Sequence, residues 1–368
     1  MQSNKIYDII IFNICPPQIK LRESAAAAAG HRAVSILPPG MEFIMGFPII
    51  TPAFLKELTE TMKPVTADEF CDVNITAFAV EYVPRLCYAE SVKKLIEEKD
   101  ILAYNMINLP DEDSKQFINQ SRQIIAAYPQ AKYYWQIRSL FMNILQNREV
   151  NFEKRLLLLN YGVKTVEGML DKGRPDLVPK FINDYTAEKM NYDEVLGYFK
   201  AIRPNPGYSL ADGISLLKSL SKPNAAYKEV LSTIYKNLGV SGPETLKMTD
   251  MKKYIGMRKN FSQTVAGEKS RYIENIMINY IWSYSIPFSK PEFNFWEHFV
   301  FFCSLYNAIK VMLTCFSQDF SDEEFIKAVS AFDTALRASD ENLMTKVILA
   351  MKNAGQSNNG DLAILTLS

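Results

Sequence analysis

Histidine is nearly missing from this sequence: His31 and His298 are the only two in 368 residues. Most routes to imidazole acid–base catalysis and to His-ligated metal chemistry are thereby closed. Cysteine is thin as well. Cys15, Cys71, Cys87, Cys303 and Cys315 are scattered, and no two lie within four positions, so neither a zinc finger nor an iron–sulfur ligand run is present. Five thiols, an odd number in a chain far larger than a disulfide-stapled scaffold, read as reduced cysteines in a cytoplasmic protein. Charge of one sign is lacking too: 41 Lys+Arg balance 41 Asp+Glu, and no global field draws the chain to nucleic acid or an anionic membrane. There is no Gly-x-Gly-x-x-Gly after a strand, no Walker loop and no Gly-x-Ser-x-Gly elbow, so nucleotide-driven and hydrolase functions lose their usual support. No solenoid-type repeat appears.

Core material, by contrast, is plentiful. Hydrophobic residues make up 48% and charged residues 22%, the balance of a folded globular chain long enough for two or so domains. The stretch Phe295 to Phe316 has the length of a membrane span but carries Glu297, His298 and Lys310, so it reads as a buried or amphipathic helix. The apolar run Ile9-Ile10-Ile11-Phe12 is cut off by Asp8 and by Pro16-Pro17, which argues against a signal peptide.

Four regions follow from the patterning. Residues 1–63 hold an alanine run and repeated Gly and Pro with no stable period, and are expected to be irregular or poorly ordered. Residues 64–129 are expected to be a short helical connection, anchored by Val92, Leu95 and Ile96 beside the charge pairs Lys93/Glu97 and Lys94/Glu98. Residues 130–352 read as the main helical domain, and 353–368, with Gly355 and Gly360, as a flexible tail. The fold class is mainly α: a multi-helix, bundle-like C-terminal region behind an irregular N-terminal one.

Within the helical domain, Ile137, Leu140, Phe141, Ile144 and Leu145 recur at three- and four-residue steps and leave Arg138 and Gln146 off the stripe. A second helix starts near Asn151 and carries Phe152, Leu156, Leu159, Val163 and Val166, which makes a helical hairpin. Prolines and glycines at Arg203–Gly207, Lys222–Asn224 and Ser241–Pro243 predict loops between short helices. A further apolar face runs Ile273, Ile276, Met277, Tyr280, Ile281 and Tyr284. The clearest start signal is Phe320-Ser321-Asp322-Glu323-Glu324-Phe325, a capping box with acidic residues at the positive helix end.

Chemistry-bearing groups are few. His298 beside Glu297 reads as a satisfied helix-face histidine, with a catalytic dyad as the alternative. Cys303 and Cys315 read as small hydrophobes of low reactivity. Lys132-Tyr133-Tyr134-Trp135-Gln136-Ile137-Arg138, with Arg148, Lys154 and Arg155 after it, reads as solvated cations beside core aromatics, or alternatively as a face for an acidic partner or nucleic acid. No catalytic, cofactor-binding or metal-ligating residue is assigned.

The run Trp135 to Arg148, followed by Phe152-Glu153-Lys154-Arg155-Leu156-Leu157-Leu158-Leu159, resembles the flagellin lysine-N-methylase family of FliB/FliU-type flagellar biosynthetic proteins. Similarity resumes at Asn279-Tyr280-Ile281-Trp282 through Pro287-Phe288, at Lys310-Val311-Met312-Leu313 and at Ser321-Asp322-Glu323-Glu324-Phe325, covering roughly residues 130–350. The resemblance implies a cytoplasmic role in flagellum biogenesis, with flagellin or flagellar assembly proteins as partners, and a link to secretion and motility. It also implies lysine methylation with S-adenosylmethionine for the family's enzymes, whose N-terminal half typically opens with a dense cysteine cluster thought to hold a metal centre. Here that half has only the dispersed Cys15, Cys71 and Cys87. Two functions therefore compete: a flagellin-handling protein without catalysis, which the missing cluster favours, and a flagellin lysine N-methyltransferase. A helical interaction protein unrelated to flagella is the third. No cofactor is expected outside the methyltransferase reading, and neither nucleic acid nor a membrane span is expected in any.

Overall fold

The computed structural model describes residues 9–13, 71–75, 79–102, 104–108, 129–186, 191–220, 224–242, 245, 248–263, 269–290, 292–316, 320–339, 342–353 and 362. The expected tail, 353–368, apart from Asn353 and Leu362, and most of residues 1–63, His31 included, lie outside them. Mainly α is the observed class: twelve α-helices stand among the described residues beside four short strands.

The strands correct part of the expectation for the N-terminal third. Strands β1 (Ile9–Asn13), β2 (Cys71–Ile75), β3 (Ala79–Pro84) and β4 (Tyr104–Asn108) form one sheet in the order β2-β3-β1-β4. β1 runs antiparallel to β3 with Ile10 opposite Tyr82, and parallel to β4 with Ile10 opposite Asn105. Residues 64–129 are thus not a purely helical connection; three strands fall there, with a single described α-helix, α1 (Ala89–Glu97). The physical signal is two-residue alternation, as in Cys71-Asp72-Val73-Asn74-Ile75, over segments too short to stand out in a helix-length window. Ile9–Phe12, an unbroken apolar run, takes one of the two inner strand positions, in which both edges are hydrogen-bonded.

α1 buries Val92, Leu95 and Ile96 and leaves Lys93 and Glu97 exposed, as its spacing predicts. The hairpin is α2 (Tyr134–Leu145) and α3 (Phe152–Asp171), and its second helix is capped by the Asn151 side chain accepting from the Lys154 amide. Next come α4 (Val178–Thr186), α5 (Tyr192–Gly197), α6 (Pro206–Ser219) and α7 (Ala225–Leu238). Asn191, Asn205 and Asn224 each cap a helix here, so the Pro/Gly punctuation marks helix starts as well as loops. α8 (Met248–Gln263), α9 (Ser270–Ser283), α10 (Phe295–Phe316), α11 (Asp322–Arg337) and α12 (Leu343–Asn353) complete the chain. Ser321 accepts from the Glu324 amide at 3.3 Å, so the helix is N-capped where its residues place the start.

α10 is the axis of the helical body. It packs against α3, α6, α7, α8, α11 and α12, and every residue in it except Glu297 is buried. The one helix among the described residues that is apolar and long enough for a membrane span is therefore enclosed by protein. α6 approaches it closely at Gly213, where an added Cβ would lie 2.6 Å from Val311 Cγ2. Any side chain there forces the two helices apart.

Side chains of α9 tie the sheet side to the bundle. Asn275 donates to the Leu95 carbonyl at 2.7 Å, Arg271 to that of Ile96 at 3.2 Å, and Asn279 to that of Pro84 at 3.0 Å. The first two bonds satisfy carbonyls in the last turn of α1 that have no partner inside their own helix, and the third holds the end of β3.

Candidate functional site

The aromatics of the basic–aromatic stretch go into the core, as expected, but not all of its cations stay in solvent. Tyr133, Tyr134, Ile137 and Arg138 are buried, and Arg138, expected off the apolar stripe, is only 1% exposed. Its guanidinium lies between the rings of Tyr134, 5.0 Å away, and Trp282, 4.3 Å away. Stacking on two aromatic faces offsets part of the cost of placing a charged group in the core.

Arg155 is drawn inward too. It donates to the Val150 and Leu145 carbonyls at 2.5 and 2.8 Å and to Glu274 at 2.5 Å, while Arg148 reaches the same carboxylate at 2.9 Å and the Lys99 carbonyl at 2.6 Å. Burial lowers the Arg155 pKa, and the Glu274 contact works against that. The arrangement clamps the α2–α3 turn to α9 and to the segment after α1. Of the stretch's cations, Lys132, Arg148 and Lys154 remain exposed.

His298 is a structural residue. It is 1% exposed, with Nδ1 2.8 Å from the Asn294 carbonyl and Nε2 3.3 Å from the Lys290 amide. Burial pushes its pKa down to about 4, so near neutral pH Nδ1–H donates and Nε2 accepts. Its neighbour Glu297 accepts from the Asn294 amide while Asn294 accepts from that of Glu297, a reciprocal cap on α10 rather than half of a catalytic dyad. Cys303 and Cys315 are buried, and burial raises the Cys315 thiol pKa, in keeping with low reactivity. Among the described residues no group of three or more His, Cys, Asp or Glu is placed to hold a metal ion.

One cluster of titratable groups escapes any reading along the sequence. Lys310, on α10, is fully buried, with its ammonium 5.2 Å from the Tyr306 ring centroid. Asn307, one turn earlier, donates to the Ser209 carbonyl and to Asp212, both at 2.9 Å, and accepts from the Ser209 hydroxyl at 2.6 Å. Glu153 from α3 and Arg258 from α8 add their fields. Burial lowers Lys310 to about 8, with Glu153, Cys303 and Asp212 resisting and Arg258 assisting. Burial likewise raises Asp212 to about 6, against its bond from Asn307 and the field of Lys310. Four helices contribute, from positions 153, 212, 258 and 310, and only side-chain packing brings them together.

Chemically, the cluster is an amine and a carboxyl both shifted toward their neutral forms, and both charged together only between about pH 6 and 8. It does not fit S-adenosylmethionine: Lys310, Asn307 and Tyr254 are fully buried and Tyr306 is 3% exposed, so packed side chains fill the place. No methyl-transfer step is routed through it.

Its consequence is a stability profile. Native Lys310 binds fewer protons than the unfolded residue between about pH 8 and 10.5, so its contribution to stability rises with pH there. Native Asp212 binds more protons between 3.8 and about 6, so its contribution falls as pH rises through that window. Replacing Lys310 with Met is expected to raise the urea midpoint at pH 7, because an apolar side chain carries no desolvation cost. The advantage over the native chain should shrink steadily from pH 8 to 10; a constant difference would show that Lys310 does not titrate as assigned.

A family model described as the FliB lysine N-methylase C-terminal domain matches residues 138–365, from within α2 to beyond α12. No curated protein and no solved structure matches the chain. With more than half of its residues inside that match, the chain belongs to the FliB lysine N-methylase C-terminal domain family.

Proposed function

We propose that this chain is a cytoplasmic flagellar biosynthesis protein that binds flagellin, or a complex containing it, and does not methylate it alone. The observation that carries the reading is the family match over residues 138–365, which covers the helical body built around α10. Supporting the non-catalytic half are the five dispersed cysteines of the sequence, where the family's enzymes are expected to gather theirs. Association needs apolar anchors and complementary charge. Methyl transfer demands more, since a donor methyl must be held in line with a deprotonated lysine amine, and misplacement by about an ångström costs about a hundredfold in rate.

The name of the family favours a second reading, a flagellin lysine N-methyltransferase using S-adenosylmethionine. Incubating the purified chain with flagellin and methyl-labelled S-adenosylmethionine separates the two. Co-purification of flagellin without label is the expected result. Label on flagellin lysines would establish the enzyme reading, and neither binding nor label would overturn both.

A further inference from the structure

We propose that the outer face of α8 is a docking surface for an acidic protein segment that carries an apolar side chain. α8 turns Tyr254 and Phe261 into the core and presents Lys252, Ile255 and Lys259 to solvent at i, i+3 and i+7, a single row along the helix. Ile255, at 45% exposure, is one of the few large hydrophobic residues standing out from the surface, and it stands between two lysines. Exposed Lys253 sits beside the row with its ammonium over Gly239 at the end of α7, where exposed Lys236 adds another cation. Among the described residues none of these four lysines takes part in an ion pair, although the chain as a whole is neutral. Local charge of this kind, unpaired among the described residues, complements an acidic surface.

Gly256 supplies an independent observation. It lies inside α8, exposed, and a Cβ added there meets nothing within 4 Å. Glycine destabilises a helix interior relative to alanine, and no neighbour among the described residues requires it. Beside Ile255 it keeps the surface low between the lysines, as close approach of a partner's backbone would need.

A protein segment suits this row better than a bilayer or a nucleic acid. The broad apolar face that an interfacial helix would insert into lipid is here turned into the protein, leaving one isoleucine outside. The four cations come without exposed aromatic rings on α8 for base stacking.

The test uses the full chain and a fluorescent synthetic helical peptide of Glu, Ala and Leu, with a Glu/Ala peptide, phosphatidylglycerol vesicles and single-stranded RNA as comparisons. The Leu-containing peptide is expected to bind best, with affinity falling as salt rises. The double change Lys252→Glu and Lys259→Glu should weaken it by about tenfold or more. Gly256→Leu should weaken it as well while leaving the thermal midpoint at or above the native value, a combination that loss of structure cannot produce. Absence of peptide binding, binding indifferent to these substitutions, or tighter binding to vesicles or RNA would overturn the proposal.

Discussion

Replacing Glu274 with Ala is expected to cost about 3–5 kcal/mol of stability, because it strands the Arg155 guanidinium in the core without a counter-charge. Arg155 is 4% exposed at its side chain and Glu274 1%, so water cannot substitute for the lost carboxylate. Arg148, at 30%, can turn outward and recover solvation. The loss should therefore follow Arg155. A chain carrying Glu274→Leu together with Arg155→Met should be far closer to native than Glu274→Ala, since removing both charges removes the desolvation cost along with the attraction. Urea denaturation of the single and double variants measures the contrast; equal losses would show that the pair contributes only volume.

Phe141→Ala should cost about 3–5 kcal/mol, the range for deleting a fully buried aromatic side chain. Phe141 is 0% exposed and meets Phe299 and Phe302 edge-on, both at 6.4 Å, where α2 comes against the central helix. Its removal opens a cavity on α10 itself, and the close-packed helices around it have little freedom to collapse into it. Phe141→Leu is the control, expected to cost about 1.5 kcal/mol or less because most of the volume is kept. A thermal midpoint in Phe141→Ala that matches the native one would mean that α2 does not dock as described.

What could be read from the sequence was what is periodic and local. The apolar stripes of α2, α3 and α9 and the cap at Ser321 each depend on residues within a few positions of one another, and each stands where its spacing predicts. Arg138 escaped because a stripe analysis treats any cation as surface, although Tyr134 one turn earlier and Trp282 across the core make an aromatic bed for it. Strands of five and six residues escaped because alternation over so few positions is outvoted by the helical pattern beside them. The Lys310 cluster was out of reach for a different reason: nothing in α10 says that Asp212, nearly a hundred positions earlier, will face it. His298 was legible as a helix-face residue, and its carbonyl and amide partners were supplied by the turn that precedes α10.

The position of α10 in the chain order bears on how the molecule is assembled. Four of the helices that enclose it, α3, α6, α7 and α8, precede it in the sequence, and only α11 and α12 follow. During synthesis the most apolar segment therefore leaves the ribosome after most of its packing partners, and a groove made by earlier helices is available to receive it. Exposed on its own, a segment of this hydropathy would invite aggregation or capture by membrane-insertion machinery. Late placement keeps that exposure brief, and moving α10 ahead of α3 by circular permutation would remove the protection without altering a single native contact inside the bundle.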